Sequence, residues 1–168
     1  MLLVIFGAGA SFDSAPHRPV HDLRGRDSRP PLADELFADR QMFATILSRF
    51  PHCQPIIPHL RHRLGARSVE AVLQDFLGQS ERDQVRFRQL ASVRSYLQLV
   101  ISQCQRQWSG ETQGVTNYKT ILDSIRRAQR SGDRTCFVTF NYDTMLEEAL
   151  EEIGTPLANL QDYVSVPT

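Results

Sequence analysis

The chain has 168 residues, 41% apolar and 23% charged, the balance of a soluble globular protein long enough for one domain with its own core. Its 19 Lys and Arg offset 19 Asp and Glu, and zero net charge argues against direct nucleic-acid binding driven by a basic surface. The three cysteines, Cys53, Cys104 and Cys136, stand far apart with no C-x-x-C pair, which argues against a structural zinc site and fits free thiols in a reducing cytoplasm.

Leu2 to Phe6 is a continuous apolar run, of the kind that forms a strand buried on both faces of a parallel sheet. It is short for the apolar region of a signal peptide and has no positive flank, although Ala8-Gly9-Ala10 mimics a cleavage site; a signal peptide is the alternative. No stretch approaches the length of a membrane span. Gly7-Ala8-Gly9-Ala10-Ser11 follows the strand, with no helix expected to start at Ser11. Residues 12–31 read as a long irregular loop, because Pro16, Pro19, Gly25, Pro30 and Pro31 forbid a long helix. Arg18, Arg24, Arg26 and Arg29 gather there with His17 and His21, as a solvated loop or as a loop that meets phosphates.

Pro31 is placed to open a helix carrying Leu32 and Leu36. Phe43, Ile46, Leu47 and Phe50 continue a helical period, which Pro51 to Pro58 breaks. Ser68 is an expected N-cap, ahead of a stripe of Val69, Val72, Leu73, Phe76 and Leu77. Val93, Leu97, Val100, Ile101, Cys104 and Trp108 fit a 3.6-residue period in a helix from about Glu81 to Trp108. After a loop at 109–116, Tyr118, Ile121, Leu122, Ile125 and Ala128 mark another helix, closed by Ser131-Gly132-Asp133. A strand from Thr135 to Phe140 then runs into Asn141-Tyr142-Asp143 and a helix to Ile153 with Met145, Leu146, Ala149, Leu150 and Ile153 at helical spacing, and Gly154 is suited to the position just past its end. Val164 and Val166 read as the start of one more strand. Two strands parted by a long helical stretch do not make a self-sufficient sheet. The chain is therefore expected to be α/β and the N-terminal portion of a longer protein.

Two strand ends carry the chemistry. Glycines at 7 and 9 permit tight turning and close approach of backbone N–H groups to a pyrophosphate. The full G-x-G-x-x-G pattern is absent, since position 12 is Phe, so a dehydrogenase-type turn is not expected. The other reading is a turn that lets chain pass chain. At the second strand end, Asn141 and Asp143 are two apart and in extended geometry point to one side. The amide can donate to and accept from a ribose hydroxyl or a carboxamide, and the carboxylate can accept from hydroxyls or stabilise a developing cation. Helix capping by either residue, with Glu147 and Glu148 at the positive helix end, explains the same pattern. Tyr142 is read as packing. Such polar strand ends form the ligand edge of open α/β sheets.

In order along nearly the whole chain, G-A-G-A-S (Gly7 to Ser11), R-P-P-L-A-D-E-L-F (Arg29 to Phe37), S-V-E-A-V-L (Ser68 to Leu73) and T-F-N-Y-D (Thr139 to Asp143) resemble the sirtuin-like domain of bacterial anti-phage defence proteins. The two outer motifs carry most of that resemblance. It implies a Rossmann-like parallel sheet, the sirtuin core, with a helical insertion at about 32–131, and NAD as the substrate. Gly7, Ala8, Gly9, Ala10 and Ser11 would cradle phosphate, with Thr139, Asn141 and Asp143 completing the cofactor site. Asn141 would be the catalytic asparagine and Asp143 the acidic partner near the nicotinamide ribose. The loop after Ser11 matches the family's mobile cofactor loop. Defence members cleave NAD to nicotinamide and ADP-ribose, which further implies a cytoplasmic protein with an attached or associated sensor domain, and a homo-oligomer. There are two departures. Deacetylating sirtuins carry zinc-binding C-x-x-C pairs, absent here, which favours NAD cleavage over protein deacylation. The family's catalytic His after the Asn-Tyr-Asp helix is also missing: His17, His21, His52, His59 and His62 all precede Asn141. It is expected beyond the chain, or the chain is an NAD or ADP-ribose sensor without catalysis. A plain phosphate-binding fold is the remaining alternative.

Overall fold

A computed structural model describes residues 1–14, 27–64, 67–80, 83–155, 157 and 159–163. The centre of the loop expected at 12–31, with Arg18, Arg24 and Arg26, and the strand expected at Val164 and Val166 lie outside the described residues. In chain order the elements are β1 (Leu2–Phe6), α1 (Ala8–Phe12), a 3-10 turn (Ala33–Glu35), α2 (Gln41–Leu47), α3 (Ile57–Leu64), α4 (Val69–Ser80), α5 (Gln84–Thr112), α6 (Asn117–Ala128), β2 (Thr135–Thr139), α7 (Met145–Glu152) and α8 (Leu160–Tyr163). The fold is mixed α/β and mostly helical. It divides into a sheet unit, Met1–Pro19 with Ser109–Thr168, and a helical unit, Val20–Trp108.

In the sheet unit β1 and β2 pair in parallel, with Leu2 opposite Thr135 and Phe6 opposite Thr139. Among the described residues these two strands are the whole sheet. Side chains alternate across a strand, so Leu3 and Ile5 share a face with their partners Cys136 and Val138. That face is open, with Ile5 61% exposed, so β1 is not buried on both faces as expected. On the other face cover is confined to the carboxyl end: Leu2 is exposed, while the ring of Phe6 is buried, 5.1 Å from Tyr118 of α6 and 6.3 Å from Phe137. β2 ends one residue earlier than expected, and Phe140 is exposed.

α7 buries Met145, Leu146, Ala149 and Leu150, the stripe its spacing predicts. It ends at Gly154, whose φ of +84° favours glycine. The N–H of Gly154 donates to Glu151 O at 3.0 Å and that of Thr155 to Leu150 O at 2.9 Å, the paired closure that satisfies a helix's last carbonyls. α5 runs four residues past the expected Trp108, and the loop expected at 109–116 shrinks to Gln113–Thr116, entered through positive φ at Gln113 (52°) and Gly114 (72°). Thr116 then caps α6 by accepting from the Lys119 N–H at 3.5 Å.

The helical unit packs Phe37, Phe43, Ile57, Leu60, Val72 and Tyr96 in one cluster. Phe37 stacks on Tyr96 at 6.4 Å and Phe50 meets the same ring edge-on at 6.1 Å. Ser68 caps α4 as expected, its hydroxyl accepting from the Ala71 N–H at 3.3 Å. Leu77, expected on the buried stripe, is exposed, because it sits about 100° round the helix from the buried Phe76. The break expected at Pro51 to Pro58 is shorter: α3 begins at Ile57, with Pro58 in a first turn where a missing N–H costs nothing. The helix expected from Pro31 is only a 3-10 turn. The carbonyls of Phe37 and Ala38 accept from the Arg61 guanidinium instead of from helical N–H groups. Cys53 and Cys104 are buried free thiols, each pushed up to about 12 by burial, while Cys136 is exposed. Among the described residues, no helix is long and apolar enough to cross a membrane.

Candidate functional site

The site grows from the two strand ends of the sheet unit. β1 delivers the chain to Gly7, which is extended (φ −115°) and serves as the N-cap of α1. A helix therefore does begin inside the Gly-Ala-Gly-Ala-Ser motif, contrary to expectation, and it stops at Phe12. The first N–H groups of a helix lack intrahelical acceptors, and Gly7 has no side chain to cap them. Ala10 N–H turns back to Gly7 O at 2.8 Å. A Cβ added at Gly7 or Gly9 meets nothing within 4 Å among the described residues. Neither glycine is there to let described chain pass close by. The surface over Gly7 and Gly9 is exposed, with backbone within reach of a ligand.

Ser11, at the buried end of α1, is 1% exposed, and its Oγ lies 2.8 Å from Tyr118 OH. Two contacts set that meeting: Asn117 Nδ2 donates to Asp13 O at 2.6 Å, and Asn117 N–H to Ser14 O at 2.7 Å, so the start of α6 is tied to the end of α1. From the other strand, Thr139 Oγ1 accepts from the Asn141 N–H at 3.1 Å and turns the chain as β2 ends. Asn141 Nδ2 then donates to Ser11 Oγ at 2.9 Å and to Tyr118 OH at 2.6 Å. Two residues singled out in the sequence, 130 positions apart, are thus joined. The third member, Tyr118, was missed. A buried aromatic at helical spacing is indistinguishable from core, and no local signal marks its hydroxyl.

The N-cap of α7 is Thr144 and not Asp143 as the capping reading has it, yet Asp143 Oδ1, one residue earlier, accepts from the Met145 N–H at 3.1 Å at the start of the helix. Asn141 does not cap. The expectation that both point to one side of an extended strand does not hold, because β2 ends at Thr139 and the chain bends at Tyr142 and Asp143. That bend also turns Tyr142 outward, 67% exposed, where packing was expected. Two buried oxygens in this region have no hydrogen-bond partner among the described residues, Asn141 Oδ1 and Glu147 Oε2. Burial pushes the Tyr118 phenol up to about 12, with the Ser11 hydrogen bond opposing and the Asp143 charge adding. Glu147 is raised above its ordinary 4.5, first by burial and, opposed by a backbone hydrogen bond, also by the Asp143 and Glu148 carboxylates.

The sign of that shift gives a stability test. Because folding raises the Glu147 pKa, its favourable contribution is full below 4.5 and is lost as pH rises through the folded value. Glu147→Gln, which removes the charge while keeping the shape, is expected to raise stability at pH 7. The gain should vanish below about pH 4.5. Urea midpoints at pH 4 and pH 7 measure it; a gain independent of pH contradicts the assignment.

A hollow of about 40 Å³ beside Thr116, Glu148 and Glu152 lies in the same unit. It admits a few waters, far short of the ~300 Å³ or more of a small-molecule site. Among the described residues, no group of three or more His, Cys, Asp or Glu is placed to hold a metal ion. No protein-family model, curated protein or solved structure matches the chain.

Proposed function

We propose that the sheet unit forms a sirtuin-like NAD site of Rossmann-like type and cleaves NAD to nicotinamide and ADP-ribose. The observation that carries this reading is the hydrogen bond from Asn141 to Ser11, which brings the two outer motifs together at the carboxyl ends of parallel strands. In the proposal the backbone around Gly7 to Ser11 holds the pyrophosphate, and the open space over Gly7 and Gly9 supports that role. Asn141 orients the nicotinamide ribose and the attacking water. Asp143, with one oxygen on the α7 N–H, keeps a carboxylate near the developing oxocarbenium ion. The bond from ribose C1′ to nicotinamide nitrogen breaks and nicotinamide leaves as a neutral molecule. Water adds at C1′ and gives up a proton. The half-buried Glu147, whose basicity burial raises, takes that proton in this scheme.

A second reading, NAD or ADP-ribose sensing without cleavage, is favoured by Asp143, one oxygen of which is taken by the Met145 N–H. The anti-phage role, an attached or associated sensor domain, the homo-oligomer and a cytoplasmic location rest on the resemblance of motifs alone. Calorimetry with NAD, together with chromatography for nicotinamide, separates the readings. A hydrolase binds and releases nicotinamide, a sensor binds NAD and leaves it intact, and a chain that does neither overturns both.

A further inference from the structure

Three contacts close a triangle: Asn141 Nδ2 to Ser11 Oγ at 2.9 Å, Asn141 Nδ2 to Tyr118 OH at 2.6 Å, and Ser11 Oγ to Tyr118 OH at 2.8 Å. Counting hydrogens decides which way round the amide sits. With nitrogen inward, its two hydrogens make two sides and one hydroxyl hydrogen makes the third. With oxygen inward, both hydroxyl hydrogens go to the amide, and two hydroxyl oxygens face each other at 2.8 Å with no hydrogen between them. Only the nitrogen-inward arrangement satisfies all three contacts. It leaves over one acceptor, Asn141 Oδ1, buried and unpartnered among the described residues. It also leaves one hydroxyl hydrogen, on Ser11 or Tyr118.

Tyr118 is built to hold its place. It is 1% exposed, its ring packs on Phe6, and the neighbouring Asn117 anchors the start of α6. Burial keeps the phenol neutral across the physiological range, so the triangle does not come apart with ordinary changes of pH.

We infer that Tyr118 is a positioning residue that fixes the Asn141 amide with its oxygen unpaired, as a hydrogen-bond acceptor for a hydroxyl or a water. The leftover acceptor and donor together match a neutral group that both donates and accepts. A phosphate dianion offers only acceptors and would face Oδ1 unfavourably. The ligand half of the inference rests on the NAD reading; the positioning half does not.

The test uses the full chain, labelled with nitrogen-15, in two arms. In the first, NMR follows exchange of the two Asn141 side-chain amide hydrogens. Tyr118→Phe is expected to speed it about tenfold, the scale of one lost hydrogen bond, with backbone signals otherwise retained. Ser11→Ala, which removes the other acceptor, is expected to act the same way and serves if Tyr118→Phe does not fold. Unchanged exchange in a folded variant overturns the positioning role. In the second arm, kcat for NAD cleavage by Tyr118→Phe is expected to fall about tenfold with KM held within about twofold. A rise in KM at unchanged kcat overturns the role assigned to Asn141 Oδ1. If the wild-type chain neither binds nor cleaves NAD, the proposed function fails, and the exchange arm alone decides whether Tyr118 positions the amide.

Discussion

Asn141→Ala is expected to lower nicotinamide release from NAD by at least about a hundredfold, the usual effect of losing a fixed polar group aimed at the transition state. Stability should hardly change. Ser11 Oγ and Tyr118 OH remain bonded at 2.8 Å without the amide. The truncation also removes Asn141 Oδ1, a buried acceptor with no partner among the described residues. Two hydrogen bonds lost and one unpartnered oxygen removed largely offset, leaving a net change within about 1 kcal/mol. Activity lost at constant unfolding midpoint separates a chemical role from a structural one. Turnover within about threefold of wild type sinks the assignment of Asn141.

Phe43→Ala is expected to produce the largest loss of stability, about 3–5 kcal/mol. Phe43 is fully buried in α2, within the cluster that holds Phe37, Ile57, Leu60 and Tyr96. The Arg40 guanidinium lies 4.9 Å from the centre of its ring, so truncation removes both a large apolar contact and a cation–π contact. Against a typical total of ~5–15 kcal/mol, such a loss is a large share of folding free energy. Because the chain divides into two compact units, hydrogen exchange read residue by residue is the suitable measurement. Amides of α2, α3, α4 and the part of α5 up to Trp108 should lose protection together. A loss below about 1 kcal/mol would mean the site collapses around the missing ring, contrary to the packing described.

What could be read from the sequence is what short-range chemistry determines. The apolar run Leu2–Phe6, the Ser68 cap, the α7 stripe and the Gly154 closure each follow from residues within a few positions of one another. Elements set by distant partners escaped. The helix expected from Pro31 forms only a 3-10 turn and does not run on, because Arg61, more than twenty positions away, takes the carbonyls of Phe37 and Ala38 that a longer helix would use. α1 was missed because a Gly-Ala-rich stretch followed by prolines reads as a turn, although its first turn needs only Gly7 as cap.

The site divides in the same way. Asn141 is legible from its place at a strand end and Ser11 from the resemblance of the Gly-Ala-Gly-Ala-Ser motif, and the structure joins them. For Asp143 the sequence allows both capping and chemistry; its carboxylate serves the first N–H of α7 from one residue before the cap Thr144. Tyr118 was not legible as a site residue, because its hydroxyl matters only through Ser11, 107 positions away, and through Asn141. Glu147 was read only as a charge suited to a helix N-terminus; its buried, unpartnered Oε2 is a product of packing.

The most direct test of the proposed NAD site is a calorimetric titration of NAD into the wild-type chain and into Gly9→Val. A Cβ at Gly9 meets no described atom within 4 Å, and valine is no worse than glycine inside a helix, so the variant should fold with an unchanged or slightly higher unfolding temperature. The same side chain would stand where the pyrophosphate must approach the backbone. Saturable binding by the wild type, weakened more than about tenfold (~1.4 kcal/mol) in folded Gly9→Val, is the predicted result. Equal affinity in the two proteins, or no binding by the wild type, contradicts it.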